Sequence, residues 1–370
     1  MHPRAAAQYS PLERTYLDTA GYGLPPAATV TALTDALAAW RAGSADWVRD
    51  WDVAGDRTRP LAAHLLGADA EEIALIPAVS VGVGVALSAL RPGEEILLAE
   101  DEFASVTLPA LVAASQRGLR VRTVAFEELA DAVRPGTTLV ATSHVRSNDG
   151  RVQDLAAVAA AARSVGAAVL VDATHAAGVL PVEADRLGLD YVVAAAYKHL
   201  LCPRGVAFLR LARSRWPALA PWAASWRSAG APYDHYYGPD LGDLAASAAR
   251  FDVSLAWHAW VGAEASLRFL CSVPAAERLA WCAGLASALA DRLGLPATGS
   301  SLLTVPFSDG VAARAELRRR RITASGRGGQ VRISFHLYND DQDMVAVAAA
   351  LEPWVAVPTR TGRDGRDRSH

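Results

Sequence analysis

Between residues 95 and 210 short apolar runs alternate with helical segments, and this rhythm constrains the fold more than any other feature of the chain. The runs are Glu95 to Glu100, Arg120 to Phe126, Leu139 to Ser143, Ala167 to Asp172, Tyr191 to Ala195 and Val206 to Leu209. Short strands of this kind separated by helices read as βαβ units around a mainly parallel sheet covered on both faces. The segment Gln153 to Val165 shows the helical half of the pattern. Leu155, Val158, Ala162 and Val165 share one face, and Gly166 stops the helix before the next strand.

Outside this region the pattern changes. Pro25 and Pro26 open a stretch in which Val30, Leu33, Leu37 and Trp40 recur at helical spacing, with Gly43 past the end, which predicts an amphipathic helix. Ile73 to Leu90 is apolar enough to suggest a membrane span, but Pro77, Ser80, Gly82, Gly84 and Ser88 fit a buried turn leading into a helix better. Residues 211–260 are rich in Trp, Tyr, Pro and Gly and read as a long ordered connection. Helices resume near Glu264. The last starts at Asn339 and Asp340, with Met344, Val347 and Leu351 on one face.

A chain of 370 residues exceeds what one core usually holds, so two lobes are expected. The divisions are an N-terminal segment, 1–30, that joins the small domain and the site, a large domain, 31–255, and a small α+β domain, 256–358. A charged tail without apolar residues, 359–370, reads as disordered. A net charge of -3 argues against nucleic acid and anionic membranes and leaves a small molecule as the expected partner. Cys202, Cys271 and Cys282 are too few for a disulfide framework, and Met1 to Ser10 lacks a signal-peptide core, so a cytoplasmic protein is expected.

The densest chemistry lies between Val169 and Leu209. A buried strand delivers Asp172 at its carboxyl end, where open α/β sheets bind ligands. Lys198 follows after a second strand. Singly, such an Asp is an ordinary helix cap and such a Lys an ordinary surface residue. Together they suit a pyridinium cofactor, with the acid paired to the ring nitrogen and the amine reaching the aldehyde.

These residues and their flanks resemble the class V aminotransferase and cysteine desulfurase superfamily, which includes kynureninase and isopenicillin N epimerase. The resemblance implies the fold of type I pyridoxal 5'-phosphate (PLP) enzymes and covers nearly the whole chain. It implies that Lys198, within Tyr197-Lys198-His199-Leu200 and followed by Pro203-Arg204-Gly205, forms the Schiff base. Asp172 then pairs with the pyridine nitrogen, and His175 and Tyr197 are cofactor contacts. Val79 and Ser80 resemble the phosphate loop, and Phe103 the residue that covers the ring. The segment Ser143 to Gly150 resembles one that ends near the cofactor, with Ser147 in the place of a common Asn and Asn148 one position later. Arg332, in a run ending at Tyr338 and Asn339, resembles the clamp for the substrate carboxylate, with Arg327 as an assistant. Ala20 and Gly21 resemble an N-terminal loop near the substrate, and Arg250 to Ser254 a segment that reaches the partner's cofactor in a homodimer with shared active sites.

On this resemblance the substrate is an amino acid, and the leading reactions are amine transfer and C–S or β-elimination. Epimerisation and hydrolysis of the kynureninase kind are alternatives, and a binding module without catalysis is the alternative of another class. The usual desulfurase nucleophile is absent, because residues 322–330 hold no cysteine. Cys202 reads as a small buried residue. His144, His199 and His336 match no metal-ligand spacing, and Arg318 to Arg321 read as a solvated helix end.

Overall fold

The structure is a computed structural model that describes residues 1–234, 236, 237, 242–327 and 329–356, with the side chain of Arg327 excepted. The tail 359–370 lies outside the described residues. Among these, the large sheet has seven strands: β1 (Ile73–Ile76), β2 (Glu95–Ala99), β3 (Arg120–Val124), β4 (Thr137–Ser143), β5 (Ala168–Asp172), β6 (Tyr191–Ala195) and β7 (Ala207–Leu211). Their order is β1-β7-β6-β5-β4-β2-β3. Strand β7 runs antiparallel to both neighbours and the other four pairings are parallel.

Both faces of this sheet are covered, and the alternation along each strand shows it. Val169 and Val171 of β5, Val192 and Ala194 of β6, and Phe208 of β7 enter one core; Leu170, Val193 and Leu209 enter the other. The strand β1 is the one that the apolar run from Ile73 hid. A strand, the Pro77 turn and helix α3 (Val79–Leu87) follow each other there without a polar break. Helix α3 lies close on the sheet because Gly82 has no side chain: a Cβ there would come within 2.7 Å of Val193 and 2.8 Å of Ile76.

Helix α1 (Ala27–Ala42) is capped by Pro26 and Gly43 as the sequence suggests, but its apolar stripe is not its buried face. Val30, Leu37 and Trp40 are exposed, while Thr29 and Ala36 face inward against helix Trp257–Ser272. Thr29 Oγ1 is 2.7 Å from Ser266 Oγ of that helix. Leu33 of the stripe is half-buried and packs on Gly262 of that helix, whose lack of a side chain permits the close approach.

A second sheet of strands Leu302–Pro306, Ser325–Arg327 and Gln330–Ser334 packs with helices Ala275–Arg292 and Asp341–Leu351 around Leu289, Val305, Ile333 and Val347. Leu17 joins this core from the N-terminal segment, where Thr15–Tyr16 pair in parallel with Ile322–Thr323. The segment around Asp252 anchors β1: its Oδ1 accepts from the Leu75 amide at 2.8 Å, and Arg59 and Arg227 neutralise it.

Candidate active site

One edge of the large sheet gathers the chemistry. The turns after β1, β2, β4, β5 and β6 bring Val79, Ser80, Phe103, Ser147, Asp172, His175, Tyr197 and Lys198 to a single cavity of about 290 Å³. A second cavity of about 350 Å³ adjoins it, lined by Arg332, Ser325, Thr304 and Asn148. Phe103 and Ser147 line both, so the two are chambers of one cleft.

Asp172 ends β5 and is buried. Its Oδ1 accepts from the Thr174 amide at 2.9 Å, and Thr174 Oγ1 accepts from the Ala195 amide at 3.0 Å, which ties the ends of β5 and β6 together. Burial pushes the Asp172 carboxyl up, against the pull of Thr174 and of the Lys198 cation. Lys198 Nζ lies 3.2 Å from His175 Nε2 and 5.1 Å from the centre of the Phe103 ring. His175 is held well below its ordinary range by burial and then by Lys198 and His199, so the ring is neutral.

The lysine's backbone is fixed from two sides. Leu201 closes a turn onto the Lys198 carbonyl at 3.0 Å with a left-handed φ of 59°. Gly23 donates to the Tyr197 carbonyl at 2.8 Å, and a Cβ at this glycine would collide with the Lys198 carbonyl. Gly23 of the N-terminal loop thus packs on the backbone of the lysine segment and, like its neighbours, lines neither cavity. Ala20 and Gly21 line neither cavity: Ala20 is buried, and Gly21 turns back to donate to Asp18 at 2.8 Å.

At the other end of the inner cavity no side chain caps the start of α3, where Ser80 sits. Arg204 lines the same cavity, its guanidinium 5.1 Å from the centre of the Tyr197 ring. Sequence reasoning quoted Arg204 without a role; its signal was a basic residue in the Pro-x-Gly turn after the lysine. Glu102 was also missed. Its carboxyl accepts from the Phe103 amide at 2.6 Å and from the amide and hydroxyl of Ser143 at 2.6 and 2.5 Å, which fixes the ring of Phe103 beside β4.

In the outer chamber Arg332 Nη1 donates to the carbonyl and hydroxyl of Ser147, each at 3.0 Å, and Nε donates to Ser325 Oγ at 3.2 Å. Ser147 therefore borders both the inner cavity and the arginine. Asn148 lines only the outer chamber and its carbonyl accepts from Thr304 at 2.8 Å. The side chain of Arg327 lies outside the described residues. Cys202 is buried, its Sγ 3.2 Å from the Leu200 carbonyl, and burial pushes its thiol far up.

This donor set fits PLP. A buried acid and a buried amine share one cavity with an aromatic face, and an uncapped helix start with Ser80 and Arg204 suits a phosphate.

Comparison with known proteins agrees. Isopenicillin N epimerase of Streptomyces clavuligerus is 34% identical over 184 residues, 46% of either chain. Kynureninase of Pseudomonas fluorescens is 29% identical over 202 residues, 50% of this chain and 48% of the relative. The aligned part thus spans about half the length of these curated relatives. Among solved structures, the cystine C–S lyase C-DES with its product cysteine persulfide matches with a TM-score of 0.84 at 23% identity, over 93% of this chain and 98% of that one. The cysteine desulfurase CsdA from Escherichia coli matches with a TM-score of 0.81 at 22% identity, over 94% and 96%. The profile of the family described as aminotransferase class-V matches residues 15–297, and the chain belongs to that family of PLP enzymes.

Proposed function

We propose that this chain acts on an amino acid by amine transfer or by C–S or β-elimination, with Lys198 as the amine that bonds the cofactor and moves the substrate proton. The observation that carries the reading is the sharing of one buried cavity by Asp172, Lys198 and Phe103, opening onto Arg332. When bound, PLP supplies an electron sink for the bond broken at the substrate carbon. Asp172 would hold the ring nitrogen, Phe103 would cover the ring, and Val79, Ser80, Tyr197 and Arg204 would hold the phosphate. Arg332, steadied by Ser147 and Ser325, would take the substrate carboxylate, a fork that suits two oxygens.

Persulfide chemistry of the desulfurase kind is disfavoured. Residues 322–330 lack a cysteine, and Cys202 is a buried thiol that resists ionisation. The three cysteines are free, which suits a reducing cytoplasm. No described helix is long and apolar enough to cross a membrane. The exposed Val30, Leu37 and Trp40 support a homodimer, which light scattering would test.

The decisive experiment is the visible imine band of purified protein and its loss in Lys198→Ala. A panel of amino acids, assayed for keto acid, for pyruvate with ammonia and for inverted stereochemistry, then separates transfer, elimination and epimerisation. Wild-type protein without the band would overturn the reading and leave a binding module.

A further inference from the structure

Behind Lys198 the imidazoles of His175, His199 and His336 form a buried line into the smaller lobe. His175 Nδ1 lies 3.4 Å from His199 Nε2, and His336 Nε2 lies 3.0 Å from the His199 carbonyl. The His199 and His336 rings stack with centroids 6.0 Å apart, and His336 stacks on Tyr338 at 5.5 Å. His199 and His336 are fully buried. The proposed function gives no role to His199 or His336.

Hydrogen-bond chemistry orders the protons. A carbonyl only accepts, so neutral His336 carries its proton on Nε2. An ammonium only donates, so beside a charged Lys198 the His175 Nε2 accepts and the proton of that ring sits on Nδ1, facing His199. His199 Nε2 then accepts in turn. Burial keeps both rings neutral, reinforced by Lys198 and Arg332, which face both, by His336 beyond His199, and by His199 beside His175. His336 is held down by burial and by Arg278 against the pull of the His199 carbonyl.

We propose that His199 is a positioning residue for the reaction: it accepts the Nδ1 proton of His175, so that the opposite nitrogen of that ring faces Lys198 as an acceptor. The His199 carbonyl, held by His336 a few residues past Arg332, ties this arrangement to the strand that binds the substrate carboxylate. The inference rests on Lys198 being the reactive amine.

The test has two readouts. In ¹⁵N-histidine spectra of cofactor-free protein at neutral pH, His175 shows a neutral ring protonated on Nδ1. In His199→Phe that signature gives way to a mixture of tautomers, and holoenzyme kcat falls about ten-fold or more with KM within two-fold, since loss of orientation acts on the chemical step. His199→Gln, whose carboxamide oxygen can accept the same proton, restores both. An unchanged His175 signature or unchanged kcat in His199→Phe overturns the proposal. If that variant does not fold, the wild-type spectrum decides, because a His175 proton on Nε2 also overturns it. Absence of the imine band in wild type would instead defeat the Lys198 reading, and the cofactor-free spectra still report on His199.

Discussion

The amine of Lys198 and the imidazole of His175 stand 3.2 Å apart, both buried, on the wall of the cavity that the carboxyl of Asp172 also lines. A buried amine beside a neutral imidazole has a proton acceptor at hand. Replacing the amine removes the function and leaves the fold. Lys198→Ala is expected to lose the imine band and at least about a thousand-fold in kcat, the scale of a positioned acid–base group, while its circular dichroism stays that of wild type.

Asp172 carries a cost that its role explains. Burial raises its pKa, so the native cofactor-free protein holds that proton more tightly than the unfolded chain does. A raised acid contributes stability below the unfolded pKa, and this is lost as pH rises through the folded value. Asp172→Asn is therefore expected to raise the melting temperature of cofactor-free protein at neutral pH, with the difference shrinking in acid. The same variant should bind PLP more weakly and turn over more slowly. Thermal melts at several pH values, paired with a spectral PLP titration, check both.

The buried histidines give the opposite slope. His144 and His336 are each lowered to about 4, mainly by burial, so between pH 6.5 and 4 the unfolded chain binds protons that the fold refuses. Stability falls as pH drops through that window, by up to about 1.4 kcal/mol per pH unit for each histidine. His144→Gln is expected to flatten the dependence of the urea midpoint on pH over this range, and a slope equal to wild type would remove His144 from the account.

In the proposed function Arg332 separates substrate binding from cofactor binding. Arg332→Lys keeps the charge and loses the fork, so kcat/KM should fall about ten- to a hundred-fold while the imine band persists. Steady-state kinetics and absorbance on the same preparation check the two halves of this expectation.

Cys202 should be dispensable. Cys202→Ala removes a buried Sγ and is expected to destabilise the protein by about 1–2 kcal/mol, with activity within two-fold of wild type. Loss of turnover in a folded variant would return the thiol to the mechanism.

The strands of the large sheet were legible because a sheet buried on both faces writes itself as apolar runs, as from Ala168 to Asp172. The companions Ser80, Phe103, His175 and Tyr197 were legible through the family resemblance of the segments that carry them, and the structure brings them to one cavity. Other features depend on contacts that no local pattern carries. Strand Ile73–Ile76 merged with the helix behind it, and α1 leaves Val30, Leu37 and Trp40 exposed while it buries Thr29 and Ala36. Gly23 of the N-terminal loop packs against the Lys198 carbonyl, a contact that only the folded chain creates. The line from His175 to His336 joins residues more than a hundred positions apart, so it emerges only when both lobes are folded.

Because Phe103 and Ser147 form a wall common to both chambers, the cleft has a built-in asymmetry for evolution and for engineering. On the proposed function a change at either residue would disturb cofactor and substrate at once, whereas Asn148, Thr304 and Gln330 border the outer chamber alone. On that proposal, selectivity for the amino-acid side chain can drift at those three positions while the cofactor stays seated.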